Sequence, residues 1–191
     1  MEKKKERIAI FIDGSNFYHS TKNIEAKGYK IDLKKIIDEL SRDREVETFY
    51  YTALLDPGYN LEIYEEHKKV IEDLKKIPNL KVVLCDLRKI KVDGKFRYEV
   101  KGDDIYLAHD MLMGAFDNLY DVAIVMSGDA DFIPVINTLR KRFKKKVGNA
   151  VFRKTSSFKL RQACDFSVNM NMVIGKLLEK ENKKRPASPK R

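Results

Sequence analysis

Short, unbroken apolar runs alternate along this chain with longer stretches whose apolar residues recur every three to four positions. That alternation constrains the fold more than any other feature. A run apolar on both faces belongs to a strand buried on both faces, as in parallel sheets covered by helices. The runs IAIFI (Ile8 to Ile12), VETFYYTALL (Val46 to Leu55), KVVLCDL (Lys81 to Leu87), DVAIVM (Asp121 to Met126) and KVGNAVF (Lys146 to Phe152) are the candidate strands. Helical periods fall around Leu33 to Leu40, Asn60 to Ile77, Asp104 to Phe116, Phe132 to Arg142, Phe158 to Ala163 and Val168 to Lys180. No helical period begins directly after Asp13. The class is α/β, and 191 residues suffice for one such domain.

Within that frame, RKIKVDGKFRYEVK alternates polar and apolar residues around Asp93-Gly94, which predicts a projecting, basic β-hairpin over about residues 87–100. Residues 182–191, NKKRPASPKR, hold five bases, two prolines and no acid, and are expected as a disordered basic tail behind a single domain spanning 1–181. Cys85 and Cys164 form no CxxC pair, so neither a disulfide framework nor a thiolate zinc site is expected. His19, His67 and His109 have no ligand spacing and are expected to be structural or at the surface. No apolar run approaches the ~20 residues of a membrane span, and the apolar stretch after MEKKKER is too short for a secretory signal. The cytoplasm is the expected location, with no membrane partner.

Charge narrows the choice of partner. Lys and Arg number 39 against 29 Asp and Glu, a formal +10, and a polyanion, nucleic acid first, suits such a surface. The stretch from Arg140 to Arg161 contains ten Lys or Arg and no acid. Arg140, Lys144, Lys145, Arg153, Lys154 and Lys159 are its candidate phosphate contacts, with Phe143, Phe152 and Phe158 interleaved as either stacking surfaces or core.

Ligands of an open parallel sheet bind beyond the carboxyl ends of its strands. There this chain places aspartates: Asp13 ends the first run, Asp129 and Asp131 follow the fourth, and Asp103 and Asp104 open the helix after the hairpin. Crowded carboxylates raise one another's pKa unless a cation lies between them, and hard oxygen donors select Mg²⁺ or Mn²⁺. The competing explanation is capping, since an aspartate before a helix satisfies free N–H groups. It applies most to Asp103, then to Asp104 and Asp129, and least to Asp13. Asp131 sits where a carboxylate favours the helix dipole and also reaches the same ion. Asp110 lies roughly 9 Å further along its helix from Asp104, a supporting position at best. Asn16 offers a neutral oxygen to a water or phosphate, or closes a turn with Gly14 and Ser15. The turn Ser127-Gly128 presents N–H groups to an anion or is ordinary turn chemistry. Lys101 neutralises a phosphate or is one more solvated lysine.

The segments IAIFIDGSNFY, KGDDIYLAHDM and VMSGDADFIPVINTLR, closed by SSFKLRQACDF, together resemble the NYN family of PIN-like ribonucleases, in particular its LabA-like branch, over residues 7 to 170. The resemblance implies a Rossmann-like three-layer α/β/α fold with a central, mainly parallel sheet of five or six strands. It also implies an acidic pocket that uses Mg²⁺ or Mn²⁺ to hydrolyse RNA, single-stranded or structured. The matching positions are Asp13, Asn16, Asp104, Asp129 and Asp131, with Asp13, Asp104 and Asp129 as metal ligands. Where the family has a small apolar residue this chain has Asp103, so either neighbour is the ligand. Two other functions fit an aspartate pocket: a catalytically silent RNA-binding adaptor, and a metal-dependent phosphatase or nucleotide hydrolase. No GxxxxGK[ST] or GxGxxG occurs, which weighs against nucleotide binding. A homodimer is compatible with the sequence, without a heptad to specify it.

Overall fold

Strand β1 (Ile8–Asp13) is buried along its whole length, as its unbroken apolar run requires. In the computed structural model, which describes residues 5–26, 29–58, 60–92, 95–152 and 157–184, it is followed by α1 (Gly14–Glu25), α2 (Leu33–Ser41), β2 (Val46–Thr52), α3 (Leu61–Lys75) and β3 (Leu80–Leu84). A two-stranded ribbon, β4 (Asp86–Val92) and β5 (Lys95–Lys101), leads into α4 (Asp103–Phe116) and β6 (Val122–Met126). A 3-10 turn (Ala130–Phe132), α5 (Ile133–Lys141), β7 (Lys146–Val151), α6 (Phe158–Ala163), β8 (Phe166–Asn169) and α7 (Met170–Lys184) complete the order.

Six strands form one parallel sheet in the order β3-β2-β1-β6-β7-β8. The chain starts in the middle, winds outward to β3, then returns past β1 to build the other half. Connections therefore leave β1 and β6 in opposite directions, and a crevice opens between their carboxyl ends. Alternate residues of β1 feed two cores. Ile8, Ile10 and Ile12 pack with Phe17 of α1, Ile36 and Leu40 of α2 and Ile174 of α7. Ala9 and Phe11 pack on the other face with Leu107 and Met111 of α4, Ile136 of α5 and Leu160 of α6. Each fully buried Ile or Phe contributes about 1.5–3 kcal/mol, so β1 anchors both layers.

Helix α2 follows from its sequence alone. Its buried Leu33, Ile36, Ile37 and Leu40 recur at helical spacing, and Asp32 caps it by accepting the Lys35 N–H at 3.2 Å.

Four features differ from expectation, one being that Phe166–Asn169 forms β8 by pairing with β7, so the last helix starts at Met170 rather than Val168. Helix α1 begins at Gly14, where no helical period was visible, because tertiary packing rather than amphipathicity holds it. Gly14 lies so close to β2 that a Cβ there would stand 2.4 Å from the Tyr51 carbonyl oxygen, which explains the glycine. Strands β2 and β3 stop at Thr52 and Leu84, short of the apolar runs that predicted them, and β4 starts at Asp86. The final helix continues to Lys184, three residues into the expected tail, and residues 185–191 lie outside the described residues. So does the Asp93-Gly94 turn, although the ribbon pairs from Asp86↔Lys101 to Val92↔Lys95 as expected of a hairpin. Both cysteines are free and buried. Among the described residues no helix is long and apolar enough to cross a membrane.

Candidate active site

Asp13 ends β1 and caps α1, its Oδ1 accepting the Asn16 N–H at 2.9 Å. Of the aspartates, Asp13 was the one for which sequence reasoning weighted capping least. Yet capping uses only one of its two oxygens, and Oδ2 accepts a hydrogen bond from Ser127 Oγ at 2.9 Å. Ser127 follows β6, and the same hydroxyl accepts the Asp129 N–H at 3.2 Å. A single hydroxyl thus ties the acid ending β1 to the acid following β6, across the crevice between them. Asp129 caps the 3-10 turn by accepting the Asp131 N–H at 2.9 Å, which fixes Asp131 on the same loop. Below that loop Asn149, fully buried on β7, donates through Nδ2 to the carbonyls of Val125 (3.0 Å) and Ser127 (2.9 Å). Ser127 appeared in the sequence only as a turn residue and Asn149 not at all. A side chain's partner 22 or 114 positions away leaves no local signal.

Asp103 and Asp104 do not cap α4. The N-cap is Gly102, held at φ 81, a left-handed conformation that glycine adopts without penalty, and it makes no side-chain cap bond. Both acids stand in the first helical turn, where the dipole favours negative charge. The Asp104 carboxyl is pushed up to about 6, first by burial and then by the charges of Asp103, Asp13, Asp129 and Asp131. Burial likewise raises Asp13, against the lowering hydrogen bonds from Asn16 and Ser127, and the charges of Asp103 and Asp129 raise it further. Five carboxylates therefore share one electrostatic field.

Among the described residues no three His, Cys, Asp or Glu side chains are already drawn together as a metal cluster. The donor set nevertheless fits a hard divalent cation. It consists of carboxylates, with no thiolate or imidazole, and their mutual repulsion is what a cation offsets. This gives a pH-dependent expectation. Because the folded pKa of Asp104 lies above the unfolded value of about 3.9, the folded state binds the extra proton. The stability this contributes is present at low pH and is lost as pH rises from about 4 through about 6. In EDTA, Asp104→Asn should therefore melt higher than wild type at pH 7 and close to it at pH 4.5. Added Mn²⁺ should raise the wild-type melting temperature at pH 7 more than the variant's. Equal responses to pH and Mn²⁺ would remove Asp104 from the charge cluster.

The expected basic contacts divide. Arg140 is committed elsewhere: its guanidinium bonds the Asp165 carboxylate at 2.6 and 2.9 Å and the Ala163 carbonyl at 2.5 Å, locking α5 to the segment before β8. Lys144 and Lys145 lie in the turn before β7, at the amino edge of the sheet, roughly 16 Å of strand from the carboxylate end. Lys145 donates to Asn118 Oδ1 at 2.5 Å, so it too is a fold contact. Lys159 is exposed on α6, which follows the carboxyl end of β7, and Lys101 adjoins Gly102 but pairs with Glu99 at 3.1 Å. Arg153 and Lys154 lie outside the described residues. Phe152 is buried edge-on against Phe17, and Phe158 is exposed. Asp110 accepts the Tyr51 hydroxyl at 3.0 Å and His109 Nδ1 lies 3.0 Å from its other oxygen, so it serves packing.

A better basic surface is the ribbon. Lys89 and Lys91 share one face of it with Phe96 and Tyr98, and the Lys89 ammonium lies 4.4 Å from the centroid of the exposed Phe96 ring. The strand carrying Phe96 and Tyr98 runs directly into Gly102, Asp103 and Asp104. Alternation in the sequence marks a basic ribbon there; only strand pairing puts cations and rings on one face.

The family model of the NYN domain matches residues 7–171, a span that holds all five carboxylates and Ser127. The chain belongs to the NYN domain family. The NYN domain is a PIN-like nuclease domain. The Low amplitude and bright protein LabA of Synechococcus elongatus is 27% identical over 146 residues, covering 71% of this chain and 69% of its own. The fold matches that of a Vibrio parahaemolyticus protein of unknown function, known from its crystal structure. The two share a TM-score of 0.68 at 25% identity, over 89% of this chain and 96% of that one.

Proposed function

We propose that this NYN domain protein is a divalent-metal-dependent ribonuclease that cuts within RNA strands at the carboxylate crevice. The observation that supports this most directly is the Ser127 hydroxyl bridging Asp13 and Asp129 while Asp104 titrates in the same field. Asp13, Asp104 and Asp129 would hold Mg²⁺ or Mn²⁺, with Asp103 and Asp131 at its edge. A bound divalent ion supplies charge to offset that building on the phosphate, and makes hydroxide accessible near neutral pH.

The protein's own residues do the remaining work. Ser127 holds the Asp13 carboxylate against the Asp129 backbone, so that this part of the site is ordered before substrate arrives. Asn16 stands in the first turn of α1, half-buried beside Asp13, where its amide can orient a water or a phosphate oxygen. Lys101, beside Gly102, and Lys159, on the helix after β7, would meet phosphates of the strand, and Lys89 and Lys91 with Phe96 would extend a cationic, aromatic track along the ribbon.

The direct test uses internally labelled RNA, linear and circular, incubated with Mg²⁺, Mn²⁺ or EDTA. Metal-dependent nicking of the circle is the expected result. RNA that stays whole in every metal yet binds with a steep salt dependence would replace this reading by an adaptor role. Phosphate released from mononucleotides while RNA stays whole would replace it by a phosphatase.

A further inference from the structure

A cavity of about 380 Å³ opens beside the carboxylate crevice, between α1, α3 and the end of β2. Its lining includes Gly14 and Ser15, which immediately follow Asp13 in the chain and start the helix that Asp13 caps. Around it Tyr18 is 58% exposed, Ile63 44% and Val70 53%, three large apolar side chains left uncovered at one opening. Aromatic surface is concentrated here. The Tyr18 ring meets the His19 ring edge-on at 5.5 Å, and Tyr50 forms part of the inner wall.

The polar groups are few and interleaved with those apolar residues, since Ile63, Glu66, His67 and Val70 recur at helical spacing along one face of α3. His67 lines the cavity, and its Nδ1 is buried without a hydrogen-bond partner among the described residues. A buried ring nitrogen ordinarily has one. Burial lowers the pKa of His67 below the usual histidine value, so near neutrality the ring is uncharged and offers one donor and one acceptor. Thr52 and Glu66 add a hydroxyl and a carboxylate to the lining.

We propose that this cavity is a subsite for one unpaired nucleobase of the RNA strand whose backbone lies in the carboxylate crevice. The inference rests on the ribonuclease reading of that crevice. A base has two flat apolar faces and a rim of donors and acceptors, and the cavity offers aromatic and aliphatic surface together with His67, Thr52 and Glu66. An acyl chain would cover the apolar walls and leave those polar groups unmatched. A base inside a duplex cannot enter, because its faces are stacked and its pairing edge is used. The substrate at the point of cutting is therefore single-stranded, a loop or an unpaired end segment.

The experiment walks a single abasic residue along a short single-stranded RNA. Both cleavage in Mn²⁺ and affinity in EDTA are measured, for wild type, Tyr18→Ala and Val70→Arg. Both positions are exposed, and melting curves verify that the variants fold. In wild type, one abasic position next to the cut should lower kcat/KM and affinity about tenfold, the scale of one lost base–aromatic stack, with its neighbours nearly silent. In Tyr18→Ala and Val70→Arg that dip should flatten, since the intact RNA already lacks the contact. Metal-dependent cutting with a flat scan in wild type, or a dip unchanged in both variants, overturns the subsite and leaves the ribonuclease standing. A dip in affinity that flattens in the variants, with no cutting in any metal, retains the subsite and removes the ribonuclease.

Discussion

Asp13→Asn is expected to lose metal-dependent RNA cleavage by about a thousandfold or more while keeping its fold. The reasoning follows the two oxygens of Asp13. Oδ1 caps α1 through the Asn16 N–H, and asparagine caps helices as well as aspartate does. Oδ2 receives the Ser127 hydroxyl, which has two lone pairs and can turn to accept from an amide instead. Geometry thus survives, and only the charge is removed. Asp13 is 7% exposed and its carboxyl is raised chiefly by burial, so the neutral amide relieves a desolvation cost. The variant should melt at or slightly above the wild-type temperature in EDTA. Asp129→Asn should behave alike, because its cap to the Asp131 N–H also needs only a carbonyl oxygen. Cleavage assays paired with melting curves separate the two effects. Variants that fold and still cut within tenfold of wild type would remove these carboxylates from the chemistry.

The second large effect is expected from Asn149→Asp, a change of one NH₂ group to oxygen. Asn149 Nδ2 donates to two backbone carbonyls in a fully buried position. An aspartate there turns a carboxylate oxygen toward both carbonyls with no cation at hand, so the group must either stay protonated or break the contact. The expected loss at pH 7.5 is about 3–5 kcal/mol, the range found when a buried charge is left unpaired. The sign with pH is fixed. The folded pKa of the new aspartate would lie above its unfolded value, so stability is retained at low pH and lost as pH rises through the folded pKa. Urea titrations at pH 5 and 7.5 should show a deficit in both series that is clearly smaller at pH 5, where the buried carboxyl is still protonated. A pH-independent difference would mean that residue 149 is not sealed from water. Cleavage should suffer as well, because the Ser127 carbonyl that Asn149 holds belongs to the loop that places Asp129.

Much of this architecture was legible in the sequence because it depends on local periodicity. The five apolar runs announced the central strands, and Leu33, Ile36, Ile37 and Leu40 announced α2. A parallel sheet in turn limits ligand sites to the carboxyl ends of its strands, which singled out Asp13, Asp104, Asp129 and Asp131. Basic residues are less legible by the same reasoning. A run of ten cations from Arg140 to Arg161 says nothing of which ones are already paired, and Arg140 is bound to Asp165, 25 positions later. Helix α1, polar along most of its length, was missed because a capping carboxylate and one close approach at Gly14 decide it, neither of which has a period. Strand β8, four residues long, exists through its pairing with β7.

The sequence by itself determined the class of fold, the order of its central elements and the residues able to meet at its carboxyl edge, since spacing along the chain fixes which side chains share a face. Only the tertiary structure decided that Ser127 joins Asp13 to Asp129, that Asn149 holds their loop and that His67 and Tyr18 face a cavity next to them. Those contacts couple residues from 2 to 114 positions apart, and the longest of them form because the reversal of strand order brings β1 and β6 side by side.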